Sequence, residues 1–171
     1  MEALLVIDMQ RWMFRTPDRT VQLPALVAAI NKLMGLFEAA DRPIFDIRTL
    51  HKADRSTWSR LMLRHDYPCL IEGTPDAELV DGLHARGMPI VKRANDAFLG
   101  TDLEAQLRSR AVTKLVLAGV FIDGCVGLTA ASAAQRGFEV SFADEAVGAR
   151  DPVQAAQIRA WLTEMYELDV P

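Results

Sequence analysis

Five short, largely apolar runs alternate with five segments of helical spacing along the whole chain, and this alternation restricts the fold more than any other feature. The runs at residues 3–7, 43–47, 88–91, 115–120 and 139–143 read as strands buried on both faces. Residues 23–40, 76–86, 102–110, 123–136 and 152–166 carry helical spacing. Strand and helix in strict turn predict right-handed βαβ units, hence a parallel sheet covered on both faces. The punctuation agrees: Pro24 and Pro152 suit first helical turns, Thr101 suits an N-cap with Glu104 three residues on, and Gly137 suits a helix stop. Residues 50–74 resist assignment. With their charges, Trp58, Pro68 and Gly73 they predict a short helix among loops, and a long loop in a compact domain tends to be functional.

The length of 171 residues suits one domain, expected over 1–171, and with 50% hydrophobic and 25% charged residues the chain has ample material for a core. Nineteen Lys and Arg against 23 Asp and Glu give a net charge of −4, the wrong sign for a dedicated phosphate-backbone binder, so no nucleic-acid partner is expected. Two cysteines make no disulfide framework, and Met1 runs into an apolar strand without a basic leader, so the expected compartment is the cytoplasm. The apolar stretch at residues 115–122 stops well short of the roughly 20 residues a spanning helix needs, and no membrane partner is expected.

In an open parallel sheet, ligands bind beyond the carboxyl ends of the strands where strand order reverses. Asp8 ends the first run, Arg48 nearly ends the second, Lys92 ends the third, and Cys125 follows the fourth where a helix begins. A thiol at a helix start gains from the backbone N–H groups there, which also leave donors for an oxyanion. It still needs a base, and Asp8 is so placed if the first and fourth strands are neighbours. Taken singly these residues have plainer readings: a buried cysteine is usually a small hydrophobe, a lone lysine a solvated charge, a strand-end carboxylate a turn former. Their joint placement favours chemistry. Cys69 lies in the irregular stretch and is read as structural; His51, His65 and His84 lack metal-ligand spacing.

The segments LLVIDMQ (Leu4 to Gln10), VKRANDAF (Val91 to Phe98) with GTDL (Gly100 to Leu103), and LAGVFIDGCVGLTA (Leu117 to Ala130) resemble the signature regions of the isochorismatase-like cysteine hydrolases. EGT at Glu72 to Thr74 and GFEVSFADEA at Gly137 to Ala146 extend the likeness along nearly the whole chain. The resemblance implies a three-layer α/β/α, doubly wound, Rossmann-like sheet of strand order 3-2-1-4-5, with a sixth strand at best within Tyr166 to Val170. It implies a catalytic triad of Asp8, Lys92 and Cys125, a cis peptide between Val120 and Phe121, and a dimer or tetramer. Nicotinamidase-type members carry an Asp-x-His metal motif at the end of strand two. Here Asp46, Ile47 and Arg48 replace it, so no catalytic metal and no organic cofactor are expected. Retention of Cys125 favours hydrolysis of a small amide or ureide over vinyl-ether cleavage, with a non-amidase hydrolase or an idle binding scaffold as rivals. Phe14, Trp58, Phe98, Val120 and Phe121 are the expected substrate-binding residues. Arg48 joins them as the residue for an anionic substrate end, with a pair to Asp46 as its plainer alternative.

Overall fold

The computed structural model describes residues 1–84 and 86–168. Strands β1 (Glu2–Ile7), β2 (Ile44–Thr49), β3 (Met88–Lys92), β4 (Lys114–Gly119) and β5 (Glu139–Val147) form one parallel sheet of order β3-β2-β1-β4-β5. Helices α1 (Pro17–Thr20), α2 (Leu23–Ala39), α3 (Arg60–His65), α4 (Leu103–Ser109), α5 (Cys125–Gln135) and α6 (Pro152–Tyr166) cover it. Alternation along β1 divides the core: Ala3, Leu5 and Ile7 face α4, α5 and α6, while Leu4 and Val6 face the Leu26, Ile30, Met34 and Phe37 stripe of α2. The parallel sheet covered on both faces is what the alternation predicts, and its three-layer, doubly wound order is what the resemblance implies.

The central strands are buried on both faces, but the edges are not. In β3 Pro89 and Val91 are exposed, and Pro without a ladder donor is tolerated there because nothing pairs beyond that edge. The expected helix at residues 76–86 is absent from the described part of that stretch, which holds only a 3₁₀ turn at Pro75–Ala77. Tertiary hydrogen bonds override its spacing: Val80 N donates to Met9 O at 3.0 Å, and Asn31 holds Gly82 O and the His84 amide. Gly82 takes φ +80°, a turn conformation open to glycine. α4 begins after Asp102, one residue later than expected, yet Thr101 Oγ1 still accepts from Leu103 N at 3.3 Å while donating to Ala97 O at 2.6 Å. Tyr166 belongs to α6, Glu167 and Leu168 form no strand, and residues 169–170 of the expected sixth strand lie outside the described residues.

One long apolar helical stretch, Pro17–Ala39, matches a membrane span by length and composition, which the sequence reading passed over. Its α2 portion nevertheless lays its apolar stripe on the sheet.

The topology places the site. Ile7 registers with Ile47 and Gly119, and Thr49 with Lys92, so four strands end side by side. Gly119 has φ +106°, and a Cβ there would collide with the Ile7 carbonyl oxygen, so only glycine lets β4 close on β1 at this level. Beyond it the chain is held by Gly148 N donating to Gly119 O at 2.9 Å and Ile122 N to Gly148 O at 3.0 Å.

Candidate active site

Asp8 leaves the end of β1 with φ +54°, in the left-handed region that Asp tolerates better than most residues with a side chain. Its amide still donates to Ile47 O at 2.8 Å. Thr49, at the end of β2, donates to Asp8 Oδ1 from its backbone N at 2.9 Å and its Oγ1 at 3.0 Å. Lys92 reaches across from β3: its Nζ lies 2.8 Å from Asp8 Oδ2 and donates to Thr49 Oγ1 at 2.7 Å and Ala94 O at 3.0 Å. Both charged side chains are 0% exposed. Burial disfavours the Lys92 ammonium, but the charges of Asp8 and Cys125 and hydrogen bonds to both hold its pKa above the ordinary value. Among the described residues the ion-pair partner of Asp8 Oδ2 is this ammonium, and the neighbouring Cys125 thiol stands within the charge's influence, so the oxygen keeps room to accept a proton.

Cys125 is the first residue of α5, not one turn inside a helix beginning at Asp123. Its Sγ donates to Asn95 Oδ1 at 3.8 Å. The helix-start expectation of a stabilised thiolate fails in this resting arrangement. Burial first, and then the charge of Asp8, push the thiol up to about 12, against the opposing pull of Lys92. The partial charge of a helix terminus is small beside a full carboxylate and the loss of water. Upstream, the Gly124 and Val126 amides both donate to Phe121 O, at 2.9 and 3.1 Å, and the Val120–Phe121 peptide is cis.

Cys125 opens into a cavity of about 1040 Å³. Trp58, Val120 and Phe121 line it, as expected of substrate-binding residues. Phe14, Phe98 and Arg48 do not. Phe14 packs beside Phe121, ring centroids 6.3 Å apart, and Phe98 turns into the core against Phe138 at 5.9 Å. Arg48 is consumed by its own strand: Nε donates to Asp46 Oδ2 at 2.9 Å, and Nη2 contacts the same oxygen. The plainer alternative for Arg48 therefore holds.

The sequence reading missed Thr49 and Gln10. Gln10 Nε2 donates to Thr49 O at 3.0 Å and Ala77 O at 2.8 Å, while its Oε1 accepts from Thr49 N at 3.0 Å, fixing the threonine that orients Asp8. A buried glutamine two residues past a strand-end aspartate was the available signal. Arg93, Asn95, Trp12 and Cys69 also line the cavity. The Cys69 thiol, read as structural, thus reaches the site wall, where burial pushes its pKa up.

The nicotinamidase-type metal motif finds no fit here. Arg48 occupies the histidine position with its guanidinium on Asp46, and His51 Nδ1 is 2.7 Å from Thr57 O. Among the described residues no three His, Cys, Asp or Glu side chains cluster as a metal would need.

Comparison with known proteins places this geometry in context. The isochorismatase-domain family profile matches residues 2–162. A maleamate amidohydrolase of Pseudomonas putida is 32% identical over 165 residues, covering 90% of this chain and 76% of that protein. A probable inactive nicotinamidase of Arabidopsis thaliana is 36% identical over 137 residues, covering 74% of this chain and 69% of that protein. The crystal structure of a nicotinamidase/pyrazinamidase from Bacillus subtilis superposes with a TM-score of 0.85 at 26% identity, covering 98% of this chain and 97% of that one.

Proposed function

Because the chain belongs to the isochorismatase family, we propose that it hydrolyses a carbon–nitrogen bond of a small amide or ureide, with Cys125 as nucleophile. The observation carrying this reading is the meeting of the fully buried Asp8 and Lys92 with Cys125, which itself lines one large cavity. The likeness to a maleamate amidohydrolase and to a nicotinamidase/pyrazinamidase structure supports the same bond class.

With the thiol pushed up to about 12, thiolate is not the resting form at neutral pH. The proton therefore leaves Sγ for Asp8 Oδ2 as sulfur attacks the carbonyl carbon. The Cys125 backbone N–H at the start of α5, between Gly124 and Val126 amides already bonded to Phe121 O, receives the negative charge on oxygen, and Lys92 keeps Asp8 oriented and offsets charge beneath the floor. Collapse breaks the C–N bond, and Asp8 returns its proton to the leaving nitrogen, giving the amine or ammonia and a thioester. Water then attacks the thioester while Asp8 takes a proton from it. Release of the acid returns that proton to Sγ.

Screening primary amides and ureido acids for ammonia release, with Cys125→Ala beside the wild type, tests the reading; activity retained without the thiol sinks it. A second reading, a binding scaffold without turnover, is favoured by the high thiol pKa and by the likeness to the probable inactive plant protein. It predicts that substrate analogues protect Cys125 from alkylation while no amide is cleaved.

A further inference from the structure

Lys92 and Arg93 are neighbours in sequence with opposite electrostatic situations. The Lys92 ammonium is fully committed to Asp8, Thr49 and Ala94. The Arg93 guanidinium lines the cavity with little to hold: its Nη2 stands 3.9 Å from Glu72 Oε2, beyond hydrogen-bond reach, and its Nη1 is buried without a hydrogen-bond partner. A buried donor left unmade is costly and tends to be kept for a reason.

The acids near the cavity cannot supply the missing acceptor. Asp96 accepts from Phe98 N at 2.8 Å on one oxygen and from Ser132 Oγ at 2.7 Å on the other. Asp123 is occupied by Arg150, whose backbone N and Nε donate to it at 3.0 and 3.1 Å. Two further guanidinium groups line the wall: Arg150 is held by Asp123, and Arg19, whose Nε also lacks a hydrogen-bond partner, lies over the Phe121 ring at 5.3 Å. The buried His51 registers the resulting positive field: its pKa is lowered by burial first, and then by the charges of Arg93 and Lys92. An apolar cavity with a nucleophile on its floor and an unanswered guanidinium on its wall fits a short molecule with an anionic far end.

We propose that Arg93 is a specificity-determining residue that binds a carboxylate carried by the substrate, at the end away from the bond to be cut. The proposal rests on the reading of Cys125 as the amide-cleaving nucleophile. A guanidinium presents two parallel N–H groups at the spacing of a carboxylate's oxygens, which makes it selective as well as attractive.

Two measurements test it. In the first, ammonia release gives kcat/KM for succinamate and glutaramate against their uncharged counterparts butyramide and valeramide. The wild type should prefer the acids by at least about tenfold, the size expected of a charge-assisted pair in a partly enclosed site. Arg93→Met should bring that ratio close to one, chiefly through KM; Arg93→Lys should keep part of it, and Arg48→Met all of it. Equal rates in the wild type, or a preference that survives Arg93→Met, would overturn the proposal. Where no amide is turned over, the second measurement decides. Alkylation of Cys125 by iodoacetamide is followed with glutarate or with its uncharged diamide present. Protection by glutarate alone, lost in Arg93→Met, keeps the carboxylate site even though the hydrolase reading has failed; no protection of the wild type removes the site.

Discussion

The floor and the outer wall of the cavity are built on opposite principles. The floor rests on strand ends in register, where Asp8, Thr49 and Lys92 hold one another through several short bonds and both charges are buried in the resting protein. Much of the wall is the irregular chain between β2 and β3, tied by single local contacts such as Trp58 Nε1 donating to Lys52 O at 2.9 Å and Ser59 Oγ capping α3 through Met62 N at 3.2 Å. Groups that exchange a proton need fixed separations, which a buried parallel sheet provides. Groups that choose a substrate can stand on chain that changes without disturbing the core.

The largest effects should come from breaking the floor. Cys125→Ala is expected to lower turnover by at least roughly a thousandfold while far-UV circular dichroism stays unchanged. Lys92→Met leaves Asp8 buried and unpaired, and should cost about 3–5 kcal/mol in urea denaturation besides abolishing turnover. A Lys92→Met protein as stable as the wild type would show that the floor is not the rigid element described here.

Next in size is a pH effect to which the floor contributes most, the Cys69 thiol of the wall being raised in the same direction. The Cys125 thiol, ordinarily near 9.0, titrates at about 12 in the fold, and Lys92 is also raised above its ordinary 10.5. The folded state then holds protons that the unfolded chain has lost, so stability should be complete below pH 9 and fall as pH climbs toward 12. Denaturation midpoints of wild type and Cys125→Ala across that range check the sign: the slope should be shallower without the thiol.

Changes to the wall should be milder and of another kind. Trp58→Ala is expected to raise KM by about tenfold with a stability loss within about 1 kcal/mol, since its contacts are local. A fall in kcat with KM unchanged would assign Trp58 to the chemistry and blur the distinction. The smallest expected effect is none: prolonged chelation should leave the rate unchanged, and a loss restored by zinc, manganese or iron would reveal ligands that Arg48 and Asp46 do not supply.

The same contrast explains what could be read beforehand. Asp8, Lys92 and Cys125 were legible because strand ends in a parallel sheet converge whatever the side chains between them, and Lys92 has the length to cross one intervening strand. Phe14 and Phe98 were misplaced because an aromatic near a strand end is equally good core material, and only packing against Phe121 and Phe138 separates the two fates. The expected helix at residues 76–86 failed for a related cause, since Val80 and Gly82 are held by Met9 and Asn31 from distant parts of the chain.

Apolar periodicity alone determined the sheet, its two covering layers and the edge at which chemistry gathers, because burial acts on every residue of a run and its sum outweighs local exceptions. Only the tertiary structure decided which arginine is tightly paired. Arg48 and Arg93 stand near the ends of adjacent strands and look alike in the sequence. One has Asp46 on the same face of its own strand, while the other has Glu72 no nearer than 3.9 Å and keeps an Nη1 without a hydrogen-bond partner. Whether a charge is answered depends on the few atoms around it, and those come from parts of the chain that meet only on folding.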